Sequence, residues 1–182
     1  NRANNVMSIH LEPISYLEQD FGSFAELINA HAINQPQRMA LGEGDEQLTW
    51  SETAAQVNRI AAQLQAEGLE PGQAVCILGT TTVRYALAYL AAIVAGGCAA
   101  PLTTSATPTQ LAAMIADSNA SHLFIDTAKR SELADSGIEL PPLKHIMMDQ
   151  PAADAPLMSE WMAAAGSKPL SRDVDPGAPF NI

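Results

Sequence analysis

Gly68-Leu69-Glu70-Pro71-Gly72-Gln73-Ala74-Val75-Cys76-Ile77-Leu78-Gly79-Thr80-Thr81-Thr82 is the stretch on which the fold turns. A helix stop, a tight turn, a strand and a loop follow one another in it. Gly68 suits the end of a helix, where glycine alone takes a left-handed backbone cheaply. Glu70-Pro71-Gly72-Gln73 reads as a type II turn, with Pro at its second position and Gly at its third. Ala74–Leu78 is apolar throughout and bounded by turn signals on both sides, the pattern of a strand buried in a parallel sheet. Gly79–Thr82 follows as a loop at the carboxyl end of that strand.

Upstream, Thr49-Trp50-Ser51-Glu52 has the spacing of a capping box, in which the threonine hydroxyl and the glutamate each satisfy a free N–H of the first turn. Its helix carries Val57, Ile60, Ala61 and Leu64 on one face. Ser23-Phe24-Ala25-Glu26 opens an earlier helix in the same way, with Phe24, Leu27, Ile28, His31 and Ala32 on its stripe. His31 on that stripe reads as a satisfied core histidine rather than a ligand. Met39–Leu41 and Gln47–Trp50 flank Gly42–Glu46 and predict a β-hairpin. Residues 1–20 are irregular and read as a flexible arm, which leaves 21–182 as one domain.

Downstream, Val83, Ala86, Leu87, Leu90, Ile93 and Val94 form a helical stripe stopped by Gly96-Gly97. Cys98–Leu102 is a second small strand. Thr107-Pro108-Thr109-Gln110 caps a helix running to about Asp117, with Pro at its first position. Ser121–Ile125 and Lys144–Met148 read as strands around a short helix, Thr127–Asp135. Gln150–Pro156 is a linker, Leu157–Ala165 a weaker helix closed by Gly166, and Phe180–Ile182 the start of another apolar run. Strands alternating with helices predict an α/β fold, a parallel sheet flanked by helices, with a small hairpin near the N-terminus.

Charge narrows the functions open to the chain. Its 182 residues carry a formal net charge of −11, with 9 Lys and Arg against 20 Asp and Glu, and that field repels a nucleic-acid backbone. Tyr85–Ala116 has no charged residue, yet Gly96-Gly97 and Pro101 interrupt it, so no membrane span is expected. Residues 1–20 lack the apolar core of a secretory signal. Cys76 and Cys98 lie inside apolar runs without metal-ligand spacing and read as buried free thiols in a reducing cytoplasm; no metal site is expected. Asp45-Glu46 and Glu18 with Asp20 read as solvated carboxylates. Arg84 could greet an anion at the start of its helix, though an exposed surface arginine is the plainer reading.

In an open parallel sheet, ligands sit at the carboxyl ends of strands. Gly79, Thr80, Thr81 and Thr82 stand at such an end and could meet a ligand at a helix N-terminus. A simple strand-to-helix turn is the alternative. The residues offer no G-x-G-x-x-G, G-x-x-x-x-G-K-[ST] or G-x-S-x-G pattern.

Five segments in order then bear a family likeness. Leu48-Thr49-Trp50-Ser51-Glu52 with Val57-Asn58-Arg59-Ile60-Ala61 resembles the "LTYxEL…VNRLA" opening of adenylate-forming enzymes. Gly68–Val75 resembles their "G(V/L)xPGDxV" turn, and Tyr89-Leu90-Ala91-Ala92-Ile93-Val94-Ala95-Gly96-Gly97 their "YLAxxxAGG". Pro101-Leu102 continues that match, and Leu111–Ser118 resembles the "ELxxxLxDS" helix. The likeness covers residues 23–126 well and the rest loosely. Pro179–Ile182 resembles the strand leading into the family's phosphate loop, which would lie past Ile182.

The resemblance implies the N-terminal part of an AMP-forming, ATP-dependent acid–thiol ligase, in which ATP, Mg²⁺ and CoA serve the full-length parent. No catalytic residue of the family falls within the chain, so the piece alone is expected to be inactive and to bind none of them tightly. Gly79–Thr82 and Tyr85 would line one wall of the substrate and CoA channel. Peptide-synthetase domains read "GGAYVPLDP" where this chain has Gly96–Thr104, and many carry "ERS" at Gly79–Thr81. Those departures favour an acyl-CoA ligase for an aryl or fatty acid. A domain that loads a carrier protein, and a non-enzymatic Rossmann-like module, stay open. A cytoplasmic protein is expected, partnered by its carboxylic acid, ATP and CoA, with a homodimer as an open alternative.

Overall fold

A computed structural model describes residues 13–18, 22–172 and 175–182. Seven helices and six strands lie along them, alternating from α3 onward: α1 Pro13–Leu17, α2 Phe24–Asn34, β1 Met39–Glu43, β2 Glu46–Thr49, α3 Trp50–Ala66, β3 Ala74–Leu78, α4 Val83–Val94, β4 Cys98–Pro101, α5 Pro108–Ser118, β5 His122–Ile125, α6 Thr127–Ser136, β6 Lys144–Met147 and α7 Met158–Trp161. β1 and β2 form the antiparallel hairpin, and the other four strands form a parallel sheet in the order β4-β3-β5-β6. The fold class read from the alternation is the one found.

Local signals set the element ends. Ser23, Thr49 and Thr107 each complete a capping box, accepting from the backbone N–H of Glu26, Glu52 and Gln110. Gly68 and Gly72 have φ of +89° and +74°, and the Gln73 N–H donates to the Glu70 carbonyl at 3.0 Å, which closes the turn into β3. Thr49→Ala is expected to lower stability by about 1 kcal/mol through the lost cap of α3; the urea midpoint of the variant against the unaltered chain measures it.

The strands divide two cores. Val75, Ile77, Ala99, Phe124 and Ile146 point to the side covered by α2, α3 and α4. Ala74, Cys76, Leu78, Leu123, Ile125 and Met147 point to the side of α5 and α6. β3 is paired on both edges and covered on both faces, which is why each of its five residues is buried. Cys76 and Cys98 are buried free thiols, and burial pushes both thiols up from their ordinary range.

Some expectations are corrected. Most of the 1–20 arm lies outside the described residues, but Pro13–Leu17 forms a helical turn against α2 rather than irregular chain. The helix expected over 157–165 stops at Trp161: Met162 turns extended, and Ala163 exchanges hydrogen bonds with Arg59 of α3, its N–H to the Arg59 carbonyl at 3.2 Å and its carbonyl from the guanidinium at 2.7 Å. His31 stacks on Trp50 with ring centroids 4.2 Å apart, yet its buried Nδ1 has no hydrogen-bond partner among the described residues. The expected satisfied core histidine is therefore not found: the residue is half-buried and its ring packs, but Nδ1 is left unpartnered. Among the described residues no helix is long and apolar enough to cross a membrane.

Asn181 pairs in parallel with Ala99 on the outer side of β4, held by Ala99 N–H to the Phe180 carbonyl at 2.9 Å and Ile182 N–H to the Ala99 carbonyl at 3.0 Å. The last apolar run therefore joins the sheet.

Candidate functional site

From β3 the chain passes through α4 to β4 on one side, and from β4 through α5 to β5 on the other. Connections diverge there, and parallel sheets leave a crevice at the carboxyl ends of such strands. A cleft of about 450 Å³ opens at that point, walled by Gly79, Thr80, Thr81 and Tyr85, by Leu102–Thr104 after β4, and by Asp126, Ala128 and Lys129 after β5. Four of the five residues singled out in the sequence, Gly79, Thr80, Thr81 and Tyr85, meet in this cleft. Thr82 does not wall it; its hydroxyl accepts from the Tyr85 N–H at 3.2 Å and caps α4.

Asp126 organises the floor. It is 9% exposed and stands directly after the apolar strand β5. Its Oδ2 accepts from the Thr80 N–H at 2.8 Å and the Thr80 hydroxyl at 3.3 Å. Its Oδ1 accepts from the Lys129 N–H at 2.9 Å, capping α6. One carboxylate thus fastens the loop after β3 to the helix after β5. Gly79 is required by this approach: a Cβ there would stand 2.7 Å from Asp126 Oδ2 and 2.9 Å from the Met148 methyl.

The cations and helix ends around the cleft already have partners. Lys129 Nζ donates to the Thr104 carbonyl at 2.7 Å and to Glu132 at 2.6 Å. The first N–H of α4, that of Val83, donates to the Glu43 carboxylate at 3.2 Å. Thr127 N–H and hydroxyl donate to Asp149 at 3.0 and 2.9 Å. Burial pushes the Tyr85 phenol up, with Tyr89 adding to it, so the group stays protonated. Arg84 lies half-exposed, 3.6 Å from Glu46, and so turns toward the hairpin; this also gives Glu46 an ion-pair partner where plain solvation was expected.

Asp126, Lys129, Thr103 and Thr104 were not singled out in the sequence. The signal for Asp126 was present, a carboxylate directly after an apolar strand, but its pairing with Thr80 spans 46 positions.

At the opposite end of the sheet lies a second polar cluster. Glu67, just past α3, accepts from His122 Nε2 at 3.0 Å, Trp161 Nε1 at 2.9 Å, Gln63 at 3.0 Å and the Lys144 ammonium. Burial alone would push its carboxyl up, but Lys144, Gln63, His122 and Trp161 outweigh that and hold it at about 2. With Glu67 ionised, the His122 Nε2 carries the proton, and Nδ1 accepts from the Ser121 hydroxyl at 2.7 Å.

Comparison with known proteins follows the same lines. Residues 28–182 match the family described as AMP-binding enzyme. A linear gramicidin synthase of Brevibacillus parabrevis is 35% identical over 99 residues, 54% of this chain and 1% of that protein. The fold is shared with the anthranilate CoA ligase AuaEII in complex with anthranoyl-AMP, at a TM-score of 0.70 and 16% identity, over 81% of this chain and 30% of that one. It is shared too with the nonribosomal peptide synthetase FmoA3 in its α-methyl-L-serine-AMP bound form, at 0.72 and 20% identity, over 88% and 16%. The chain therefore spans a minor part of each of these proteins. By the extent of the family match, and with a sheet and hairpin of the same architecture, the chain belongs to the adenylate-forming, AMP-binding enzyme family.

Proposed function

We propose that this chain is the N-terminal α/β portion of a ligase that activates a carboxylic acid with ATP and passes the acyl group to a thiol. The carboxylate attacks the α-phosphate of ATP, giving acyl-adenylate and pyrophosphate. A thiol then attacks the acyl carbon and AMP leaves. The observation that carries this reading is the family match over residues 28–182.

The residues on hand do not fit ATP phosphates or Mg²⁺. Helix N-termini beside the cleft are closed by Glu43, Asp126 and Asp149, Lys129 is tied to Glu132, and the described residues hold no group of three or more metal-ligating side chains. No step of the reaction is assigned to this chain. Its part is to build the sheet and to offer the cleft of Gly79–Thr81 and Tyr85 as one wall of the channel for acid or thiol.

Coenzyme A is the acceptor favoured by the departures from the peptide-synthetase pattern at Gly79–Thr81 and Gly96–Thr104. A carrier-protein thiol is the second reading, favoured by the likeness to the linear gramicidin synthase. The natural protein containing this segment, given ATP, Mg²⁺ and a panel of aryl and fatty acids, is expected to form an acyl-CoA detectable by mass spectrometry. Acylation of a carrier protein with no acyl-CoA would favour the second reading. The 182-residue chain alone is expected to show no calorimetric response to ATP; tight nucleotide binding by it would favour a self-sufficient binding module instead.

A further inference from the structure

We propose that Ser121 is a nucleophilic hydroxyl, with His122 as its base and Glu67 orienting that base, and that it takes up an acyl group from an activated carboxylic ester. The three side chains meet at the end of the sheet opposite the cleft, and their chemistry is independent of the ligase reading.

Ser121 stands in the turn between α5 and β5, just after Asn119 takes a left-handed backbone at φ 51°. Its own backbone is held on both sides. Its N–H donates to the Ala74 carbonyl at 3.3 Å, and its carbonyl accepts from the Lys144 N–H at 2.9 Å. Ser121 is partly exposed, whereas His122 is buried. The hydroxyl thus has a wet side for a donor molecule and a dry side for its base.

On the dry side, Ser121 Oγ lies 2.7 Å from His122 Nδ1, and His122 Nε2 lies 3.0 Å from Glu67 Oε2. The Glu67 carboxyl, held at about 2, is ionised and accepts the Nε2 proton. That tautomer leaves the Nδ1 lone pair to the serine. Two charged groups face the ring, Glu67 at the end of α3 and Lys144 on β6, and the neutral Trp161 of α7 lies 6.2 Å away. Burial lowers His122 first, Lys144 lowers it further and Glu67 opposes both, so the ring is neutral above pH 6.5. A nucleophile within hydrogen-bond reach of a base, with the base held by a third group, is the arrangement that activates a serine.

In the acylation step Ser121 Oγ attacks the carbonyl carbon of the ester, and its proton passes to His122 Nδ1. Glu67 stabilises the imidazolium so formed. The C–O bond to the leaving group breaks, and the leaving oxygen takes the electron pair and then the proton from His122. Acyl-Ser121 and the free alcohol are the products.

The test treats the 182-residue chain with p-nitrophenyl acetate and maps acetyl groups to individual serines by peptide mass spectrometry. Ser51, exposed on the first turn of α3, is the reference. Ser121 is expected to be acetylated about 100-fold faster than Ser51, the low end of what a positioned base supplies. A rate no greater than that of Ser51 overturns the proposal. H122Q should bring Ser121 down to the reference rate, and an unchanged rate in folded H122Q overturns the role of the base. Should that variant not fold, the pH profile of the unaltered chain decides. The rate at Ser121 should level off above pH 6.5 and fall below it as Nδ1 takes a proton. A rate that keeps rising in proportion to hydroxide overturns the proposal. Glu67 is a positioning residue that raises His122, so E67Q should slow acetylation and move the fall to lower pH. An unaltered profile in E67Q overturns the part assigned to Glu67.

Discussion

Glu67→Ala is expected to lower the melting temperature by about 10 °C, from a loss of roughly 3 kcal/mol at 2–4 °C per kcal/mol for a chain of this size. The truncation removes the acceptor of four donors from four elements: Gln63 on α3, His122 on β5, Lys144 on β6 and Trp161 on α7. His122 is 3% exposed, so its Nε2 proton would be left without water or acceptor. Trp161 packs edge-on against the fully buried Phe124 at 5.6 Å, so release of its indole N–H loosens the core behind it. Near-UV circular dichroism of Trp161 should weaken together with the thermal shift. Glu67→Gln keeps an acceptor and is expected to lose about half as much; an equal loss in both variants would point to charge alone.

The same cluster sets the response to acid. The Glu67 carboxyl is depressed from 4.5 to about 2, so the folded chain releases this proton more readily than the unfolded one. Its stabilisation is complete above pH 4.5 and is lost as pH falls toward 2. His122 is lowered first by burial, then by Lys144, against the pull of Glu67; His145 is lowered by burial and Arg130, against Asp154. A histidine depressed in the folded state stabilises above its unfolded value of 6.5 and loses that contribution as pH falls below it. Both effects have one sign. Stability should decline from about pH 6.5 downward, and Glu67→Ala should flatten the part of the curve below pH 4.5. Urea midpoints across that range measure it.

Gly79→Ala is the second large effect, expected to cost about 2 kcal/mol by overpacking. The new methyl would stand 2.7 Å from Asp126 Oδ2, 2.9 Å from its Cγ and 2.9 Å from Met148 Cε. Met148 can swing its methyl aside. Asp126 cannot move without releasing Thr80 and the first turn of α6 together. Stability and cleft shape should thus fail as one. The variant should melt about 6 °C lower, with the backbone NMR signals of Thr80 and Lys129 displaced together. Gly177→Ala serves as control: its added carbon meets Asp175 at 3.4 Å, an ordinary contact, and a change within about 0.5 kcal/mol is expected. In an Asp126→Ala background Gly79→Ala should cost less, because two of the three atoms it strikes are gone and only the Met148 methyl remains.

What could be read from the sequence was local. Each capping box lies within four consecutive residues, and each strand carries its own turn signals, so Ser23, Thr49, Thr107 and the Gly68–Gly72 turn were legible without a partner. The loop Gly79–Thr81 was legible as the wall of a cleft because parallel sheets leave a crevice at their strand ends. Strand order was not, since nothing local says that β5 crosses β3 to its far side. Nor was the Glu67 cluster, whose partners other than Gln63 lie 55, 77 and 94 positions away. The overlong reading of α7 has a similar cause: the backbone of Ala163 leaves the helix for a pairing with Arg59, 104 positions earlier.

Incorporation of labelled pyrophosphate into ATP by the natural protein that carries this segment tests the central claim most directly. The ligase reading requires exchange that depends on an added carboxylic acid, with AMP released once a thiol is supplied. ATP turnover to ADP, or exchange silent across the whole panel of aryl and fatty acids, would contradict it.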